Sequence, residues 1–403
     1  MIWRMAWRNA WRNPRRTAVV VTAVAVGIAG VVLTMAVNYG MVVQMVETAI
    51  STELGHLQIH AAGFDQNPEL AVRLEDGGSA GAEALAELGG VAAWARRVRA
   101  EGLITSPRSS AGVRVVGIEP EREAEVSIIA RSIRKGRYLD GVKRRVLVGK
   151  KLARRLEVDV GDKVVLSVQD LAGDLGAEAL RVAGIFETPM GELDGGTVFV
   201  RIEEGQALFG LGRAVSEIVV VAHDRASVSA LSEALAARLP GAEVRSWKEL
   251  RPVLVYLVKL FDQQALWVYV AVFVAMAFGI ANVLLMAVYE RIREIGIMMA
   301  VGMKRGRLVA MIVAESFFVT LLGLALGFVA AVAGVWALQD GIDLSFFAEG
   351  LSAFGVGTRL VPVLRWADFS VPMAVALVTA LVASAWPAVH AVRFRPAEAV
   401  RRV

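Results

Sequence analysis

Four stretches of the chain are apolar for long enough to cross a membrane, and their spacing is uneven. Residues 17–39, 264–289 and 371–392 carry no charge, and 308–338 carry one acid, Glu315. Each reaches the roughly 20 apolar residues that a hydrocarbon core requires. Ser370, with Pro372 just behind it, predicts the start of the fourth helix. Gly323 and Gly327 have the spacing that lets two membrane helices approach closely. The long interval after the first stretch alternates instead of running apolar. It predicts strands at 56–60, 92–104, 113–118, 217–222 and 242–245, and helices at 82–88 and 226–239. These flanking pieces read as two β-α-β units sharing one sheet. Between them lies a β-rich insert at about 110–200, with strands at 146–148, 163–169 and 179–186, a helix at 150–156 and a polar hairpin tip at 170–178. Residues 40–52 and 247–261 extend the neighbouring spans as stalks.

Composition agrees with a mixed protein. Hydrophobic residues are 56% of 403, above the about 45–50% of soluble domains. There is no Cys, which excludes disulfides, thiolate metal sites and Cys nucleophiles. Charge gives an orientation. Residues 1–16, 290–307 and 393–403 together hold fourteen basic and three acidic residues, whereas the rest is net acidic. The positive-inside rule then puts both termini and the 290–307 loop in the cytoplasm. The first apolar run is too long for a signal-peptide core of about 7–15 residues, so it is read as a retained span.

The expected fold is thus a membrane α-helical chain of four transmembrane helices, with a large α+β extracytoplasmic domain between the first and second. Its parts are 1–16 (interfacial amphipathic helix), 17–39 (first span), 40–262 (external domain with stalks) and 263–289 (second span). Then come 290–307 (cytoplasmic loop), 308–338 (third span), 339–369 (short external loop), 370–392 (fourth span) and 393–403 (cytoplasmic tail). Trp3, Trp7 and Trp11, with Arg4, Arg8 and Arg12 in step, form two helical stripes that suit a helix lying in the membrane interface.

Candidate chemistry is sparse. There is no P-loop, no G-x-S-x-G, no H-E-x-x-H and no paired-Cys zinc pattern. His56 and His60 share a strand face without a carboxylate at ligand spacing, so surface histidines are expected rather than a metal site. Glu315, inside a span, is placed to pair with Arg291, Arg305 or Arg307. No catalytic, metal or nucleic-acid-binding residue is expected.

The loop after the second span reads Glu290-Arg291-Ile292-Arg293-Glu294-Ile295-Gly296, then Met299-Ala300-Val301-Gly302. It resembles the E-R-x-x-E-I-G-x-x-x-A-x-G signature of ABC-transporter permeases of the FtsX/MacB superfamily. The Pro387-Ala388…Arg393…Pro396-Ala397-Glu398-Ala399 ending and the Ala6-Trp7-Arg8-Asn9 entry are similar to that superfamily too. Within it, Gly55 to His60, Val116 to Pro120, Val160 to Val164 and Gly184 to Asp194 resemble the lipoprotein-releasing permeases, LolC and LolE. The resemblance implies a non-enzymatic subunit of a bacterial inner-membrane complex. Its partners would be two copies of an ABC ATPase, which binds ATP and Mg, and a second permease as homodimer or heterodimer. Lipoprotein cargo, membrane lipids and a periplasmic carrier complete the set. It implies ATPase coupling at Glu290, Arg291, Arg293, Glu294, Ile295, Gly296, Met299 and Gly302. A cargo cavity would be lined by Val37, Asn38, Met41, Val42 and Met45 and by Phe261, Gln264, Leu266, Trp267 and Val270. Carrier contact would fall on Asp170, Leu171, Asp174 and Leu175. Two alternatives stay open: MacB-like efflux of an antibiotic or peptide, and an FtsX-like scaffold controlling a cell-wall hydrolase.

Overall fold

A computed structural model describes residues 2–64 and 70–392, apart from the side chains of residues 2–4 and 10. The 393–403 tail, with its Pro396-Ala397-Glu398-Ala399 ending, lies outside the described residues. Two compact units emerge. One is Met1–Val42, Val258–Ile342 and Leu360–Val403; the other is Val43–Leu257 and Asp343–Arg359.

The first unit is built on helices α1 (Ile2–Ala10), α2 (Pro14–Ala49), α3 (Pro252–Glu290), α4 (Ile292–Ala300), α5 (Arg305–Ala337) and α6 (Ala367–Ala391). Helices α2, α3, α5 and α6 are long and apolar enough to cross a membrane. Pro14 ends α1 by disfavouring helix in the residue before it, then serves as the first residue of α2. The spans pack through Val24, Ile28 and Val32 of α2, Phe273, Met276 and Ile280 of α3, Leu324 and Ala331 of α5, and Ala376 and Ala380 of α6. The glycine pair faces α2. A Cβ on Gly323 would lie 2.7 Å from the Val24 Cβ, and one on Gly327 2.7 Å from the Ala25 carbonyl oxygen. One sequence expectation needs correction. Helix α6 begins at Ala367, so Ser370 lies inside it, donating its N–H to the Trp366 carbonyl. The buried Asp368 carboxylate accepts from the Arg365 backbone N–H at 2.9 Å and its guanidinium at 3.0 Å, which starts the helix a turn early.

The second unit holds a ten-stranded sheet. Its strands are β1 (Leu57–Ala61), β2 (Val91–Thr105), β3 (Ser110–Ile118), β4 (Ile133–Gly136), β5 (Arg145–Gly149), β6 (Lys163–Gln169), β7 (Leu175–Phe186), β8 (Thr197–Arg201), β9 (Glu217–Ala222) and β10 (Ala242–Ser246). The order is β10-β1-β9-β2-β3-β8-β5-β7-β4, with β6 pairing β2 and β7. The flanking pieces share a sheet as expected, and the β-rich middle continues it without a break. One core gathers alternate residues of β2, β3, β5, β6, β7 and β8 with Leu152 and Leu156 of the Lys150–Leu156 helix. A second gathers Leu57, Ile59, Ile218 and Val220 under Leu231 and Leu235 of the Val228–Arg238 helix. The hairpin tip is shorter than expected. Strand β7 already pairs at Leu175 with Gln169, because Asp170 folds an Asx turn, its carboxylate accepting from the N–H groups of Ala172 and Asp174 at 2.9 Å each.

Entry into this sheet is abrupt. Helix α2 gives way to a π-helical turn, Ile50–Leu54, and then to Gly55 at φ 61°. A Cβ there would stand 2.5 Å from Val219 Cγ1 and 2.9 Å from the Val220 carbonyl oxygen, so only glycine fits the turn into β1.

Candidate functional site

The expected coupling residues divide into an inward and an outward group. Glu290 closes α3 and Arg291 is the N-cap of α4, so both precede the helix they were expected on. Ile292, Ile295 and Gly296 are buried, and Ile295 packs in a cluster with Val288, Leu308, Met311 and Ala388. Ile295 and Gly296 therefore cannot present a surface to a partner: the 3.6-residue period turns them toward the spans. Arg293 and Glu294 are exposed and Met299 partly buried, while Gly302 ends the turn at φ 96°. The outward apolar side chains are Ile297 and Val301, the latter 85% exposed; the signature match had passed over both.

Beneath α4 lies a charge cluster. Glu315 accepts from Arg16 at 3.1 Å and from Arg291 at 3.3 Å, both salt bridges with little solvent access. The expected partners Arg305 and Arg307 are not the ones used. Arg16 also stands 3.7 Å from Glu290, Arg12 pairs with Glu294, and Arg291 donates to the Asn9 carbonyl at 3.3 Å. Helix α4 is thereby fixed to the start of α2 and to Glu315 inside α5. Trp7, half exposed, meets Phe318 of α5 edge-on at 5.5 Å, and Trp11 meets Trp7 at 5.9 Å, so these two are shared between packing and surface, while the Trp3 side chain lies outside those described.

Toward the opposite ends of the spans, Trp267 (71% exposed) and Val270 lie on an open apolar stripe of α3 that continues through Val274 and Phe278. Leu266 and Gln264 are exposed as well. Val37, Asn38, Met41 and Phe261 are partly buried. Met45 is 1% exposed and Val42 is buried, so neither lines an open surface. Met45 sits about 40° round the helix from Met41, enough to turn it inward. A polar collar that sequence reading missed stands nearby. Arg365 covers the Tyr39 ring at 4.1 Å, pairs with Asp368 at 3.0 Å and stands 3.9 Å from Asp262.

In the sheet unit, Leu175 is 83% exposed and Leu171 partly so. The tip is tethered, since the Leu171 N–H donates to the Phe209 carbonyl at 3.1 Å. Asp170 is taken up by its own turn, and Asp174 is exposed. His56 and His60 are buried rather than on the surface. His56 Nδ1 accepts from the Ala222 N–H at 3.1 Å, and His60 shares a 2.9 Å bond with Gln58 and stacks on Phe64. Burial pushes the His60 imidazole below its usual range. Among the described residues no group could hold a metal ion.

Sequence reading also missed a buried ionic system at the entry to the sheet. Arg97 is bidentate to Glu123 at 2.9 and 2.7 Å. Arg99 pairs with Glu217 at 2.8 Å, and Arg97 stands 3.5 Å from the same carboxylate. Burial alone would push Glu217 up, but Arg99 and Arg97 hold its carboxyl below the usual range. Glu53, on the π turn, accepts from Arg114 at 2.8 Å and from Arg251 at 2.7 Å. No local pattern marks these residues, since Arg96, Arg97, Arg99 and Glu101 put charge on both faces of β2.

Residues 17–238 match the model of the MacB-like periplasmic core domain, and residues 267–396 match that of the FtsX-like permease C-terminal region. The chain belongs to the FtsX/MacB family of ABC-transporter permeases. As a family member it is an inner-membrane transporter permease subunit, of a kind that works with ABC ATPase partners. Its sheet unit is the α+β core domain set between the first and second spans. Curated relatives include the lipoprotein-releasing system transmembrane protein LolC of Xylella fastidiosa, 26% identical over 94% of this chain and 92% of the relative. LolC of Neisseria meningitidis is 23% identical over 77% of this chain and 78% of the relative. The macrolide export ATP-binding/permease protein MacB of Chlorobium luteolum is 32% identical, but over 30% of this chain and 16% of the relative. Among solved structures, the periplasmic region of MacB from Actinobacillus actinomycetemcomitans is 12% identical over 52% of this chain and 97% of that one, with a TM-score of 0.37.

Proposed function

We propose that this permease subunit extracts lipoproteins from the outer leaflet of the inner membrane and passes them to a periplasmic carrier, driven by a partner ATPase. One observation carries the reading: similarity to LolC of Xylella fastidiosa runs over 94% of this chain and 92% of that one, whereas the matches to whole MacB proteins cover 30–41% of this chain. The physical demand also fits. Each acyl CH₂ leaving the bilayer costs about 0.8 kcal/mol, so a multi-chain anchor needs an energy source. Two ATPase subunits, binding ATP and Mg, would dock on α4 of two facing permeases through Arg293, Ile297 and Val301. The open stripe from Trp267 to Phe278 would take acyl chains, with the Arg365 collar meeting the polar linker. The basic residues flanking the spans favour cytoplasmic termini.

Photo-crosslinkers at Met41 and Trp267 test the cargo site. They should capture an acylated protein, and ATP supplied before irradiation should lower the yield of that crosslink. Crosslinks to the second permease alone, while lipoprotein release runs normally, would remove this surface from the cargo path. The coupling face has its own test. Val301→Asp should weaken binding of the partner ATPase by about tenfold, or about 1.4 kcal/mol, with membrane insertion unchanged. MacB-like efflux is the second reading, favoured by the 32% identical MacB segment. ATP-dependent export of a macrolide from vesicles without lipoprotein binding would select it.

A further inference from the structure

The ionic system at the entry to the sheet has two tiers with different solvent access. The inner pairs, Arg97–Glu123 and Arg99–Glu217, have fully buried carboxylates. They hold β2 to β9 and to the Pro120–Val126 helix. The outer tier centres on Glu53, whose side chain is 12% exposed against 32% for Arg114 and 34% for Arg251. Its close pairs join three places, the π turn that ends α2, strand β3 and the residue immediately before α3, and Arg99 of β2 stands 3.8 Å from Glu53, linking the two tiers. The backbone joins the same parts. The Glu53 carbonyl accepts from Arg97 at 2.6 Å, and the Trp247 N–H donates to the His56 carbonyl at 3.2 Å. Both chain segments that lead to membrane helices therefore reach the sheet at one carboxylate.

We infer that Glu53 is a positioning residue that clamps the ends of both stalk segments to the external sheet and is exchanged when those segments move. The inference rests on the reading of the chain as a permease driven by a partner ATPase. Exchange is open to the outer tier because its loss strands no fully buried charge. Arg114 already shares itself between Glu53 and Glu101, the latter at 3.3 Å. A cavity of about 110 Å³ beside Glu53 is lined by Arg114, Arg251, Glu101 and Glu192, which gives Arg251 room and a second carboxylate. The inner pairs keep their partners throughout, so the sheet stays folded while the clamp opens. A π turn, a frequent feature of functional sites, supplies the adjustable backbone under Glu53.

The chain has no Cys, so cysteines at Ser51 and Val253 would be its only thiols. Spin labels there report the separation of the two stalk ends in the full chain with its ATPase in nanodiscs. Without nucleotide the distance distribution should be narrow. Glu53→Gln and Arg251→Gln should each broaden it and lower cargo-stimulated ATP hydrolysis about tenfold. The double variant should be no worse than either single, and Arg251→Lys should partly restore both readouts. Arg108→Gln, which breaks an exposed pair with Glu157 elsewhere on the sheet, should change neither. An unchanged distribution in Glu53→Gln, or additive effects in the double variant, would overturn the clamp. If Glu53→Gln fails to fold, the half-exposed Arg251 variants decide alone. The distances do not depend on cargo, so a wrong cargo assignment would silence the hydrolysis readout and leave them intact.

Discussion

At the residue scale, burial decides what a side chain can do, and Asp194 shows it outside the ionic system. The residue is 3% exposed, and its carboxylate accepts from the Thr188 hydroxyl at 2.7 Å and N–H at 3.0 Å. Burial pushes it up to about 6, against the bonds from Thr188. The folded chain then holds a proton that the unfolded chain loses near pH 4. Stability from this group is greatest below that, falls as pH rises toward 6, and stays low above it. Asp194→Asn removes the titration and can keep an acceptor for Thr188. Its unfolding temperature relative to wild type should therefore rise from pH 4 to pH 7, by a free energy on the order of 2–3 kcal/mol. A pH-independent difference would show that Asp194 titrates normally. Nothing in the local sequence announces this; Asp194 looks like any polar residue near two glycines.

At the scale of elements, the Gly323 and Gly327 pair illustrates how far a motif goes. Its spacing marks a close-approach face, and the fold supplies the partner, α2 at Val24, Ala25 and Ile28. Gly327→Leu would drive carbons into the Ala25 backbone, which cannot move aside as a flexible side chain would. We expect a loss of about 1–3 kcal/mol, read as a lower unfolding temperature in detergent. Gly279, with nothing near its Cβ position, should accept alanine without that loss. Helix α4 gives the converse lesson. The signature located the helix, but its period and the Glu315 cluster chose which residues face out. Ile295 and Gly296 belong to its packing, Ile297 and Val301 to its surface.

For the molecule as a whole, orientation is the property that charge alone proposes. Single cysteines at Val301 and Leu175 sit on exposed positions of the two units. A membrane-impermeant maleimide should label position 175 in spheroplasts and reach position 301 only after lysis. Labelling of 301 in intact spheroplasts would reverse the topology.

The sequence by itself determined the four spans, the interposed α+β domain, the position of the loop helix and the family, because these depend on runs, periods and local motifs. It could not determine which strands neighbour one another, how short the hairpin tip is, or that α6 begins at Ala367. Those follow from pairing with particular partners: Leu175 opposite Gln169 in the sheet, Asp368 bonded to Arg365. Least legible was the ionic system. Glu53, Arg97, Glu217 and Arg251 are spread along the chain as ordinary charged residues. Only the sheet, with Arg97 set directly across from Glu217 and the π turn beside β3, brings them close enough for their charges to offset burial.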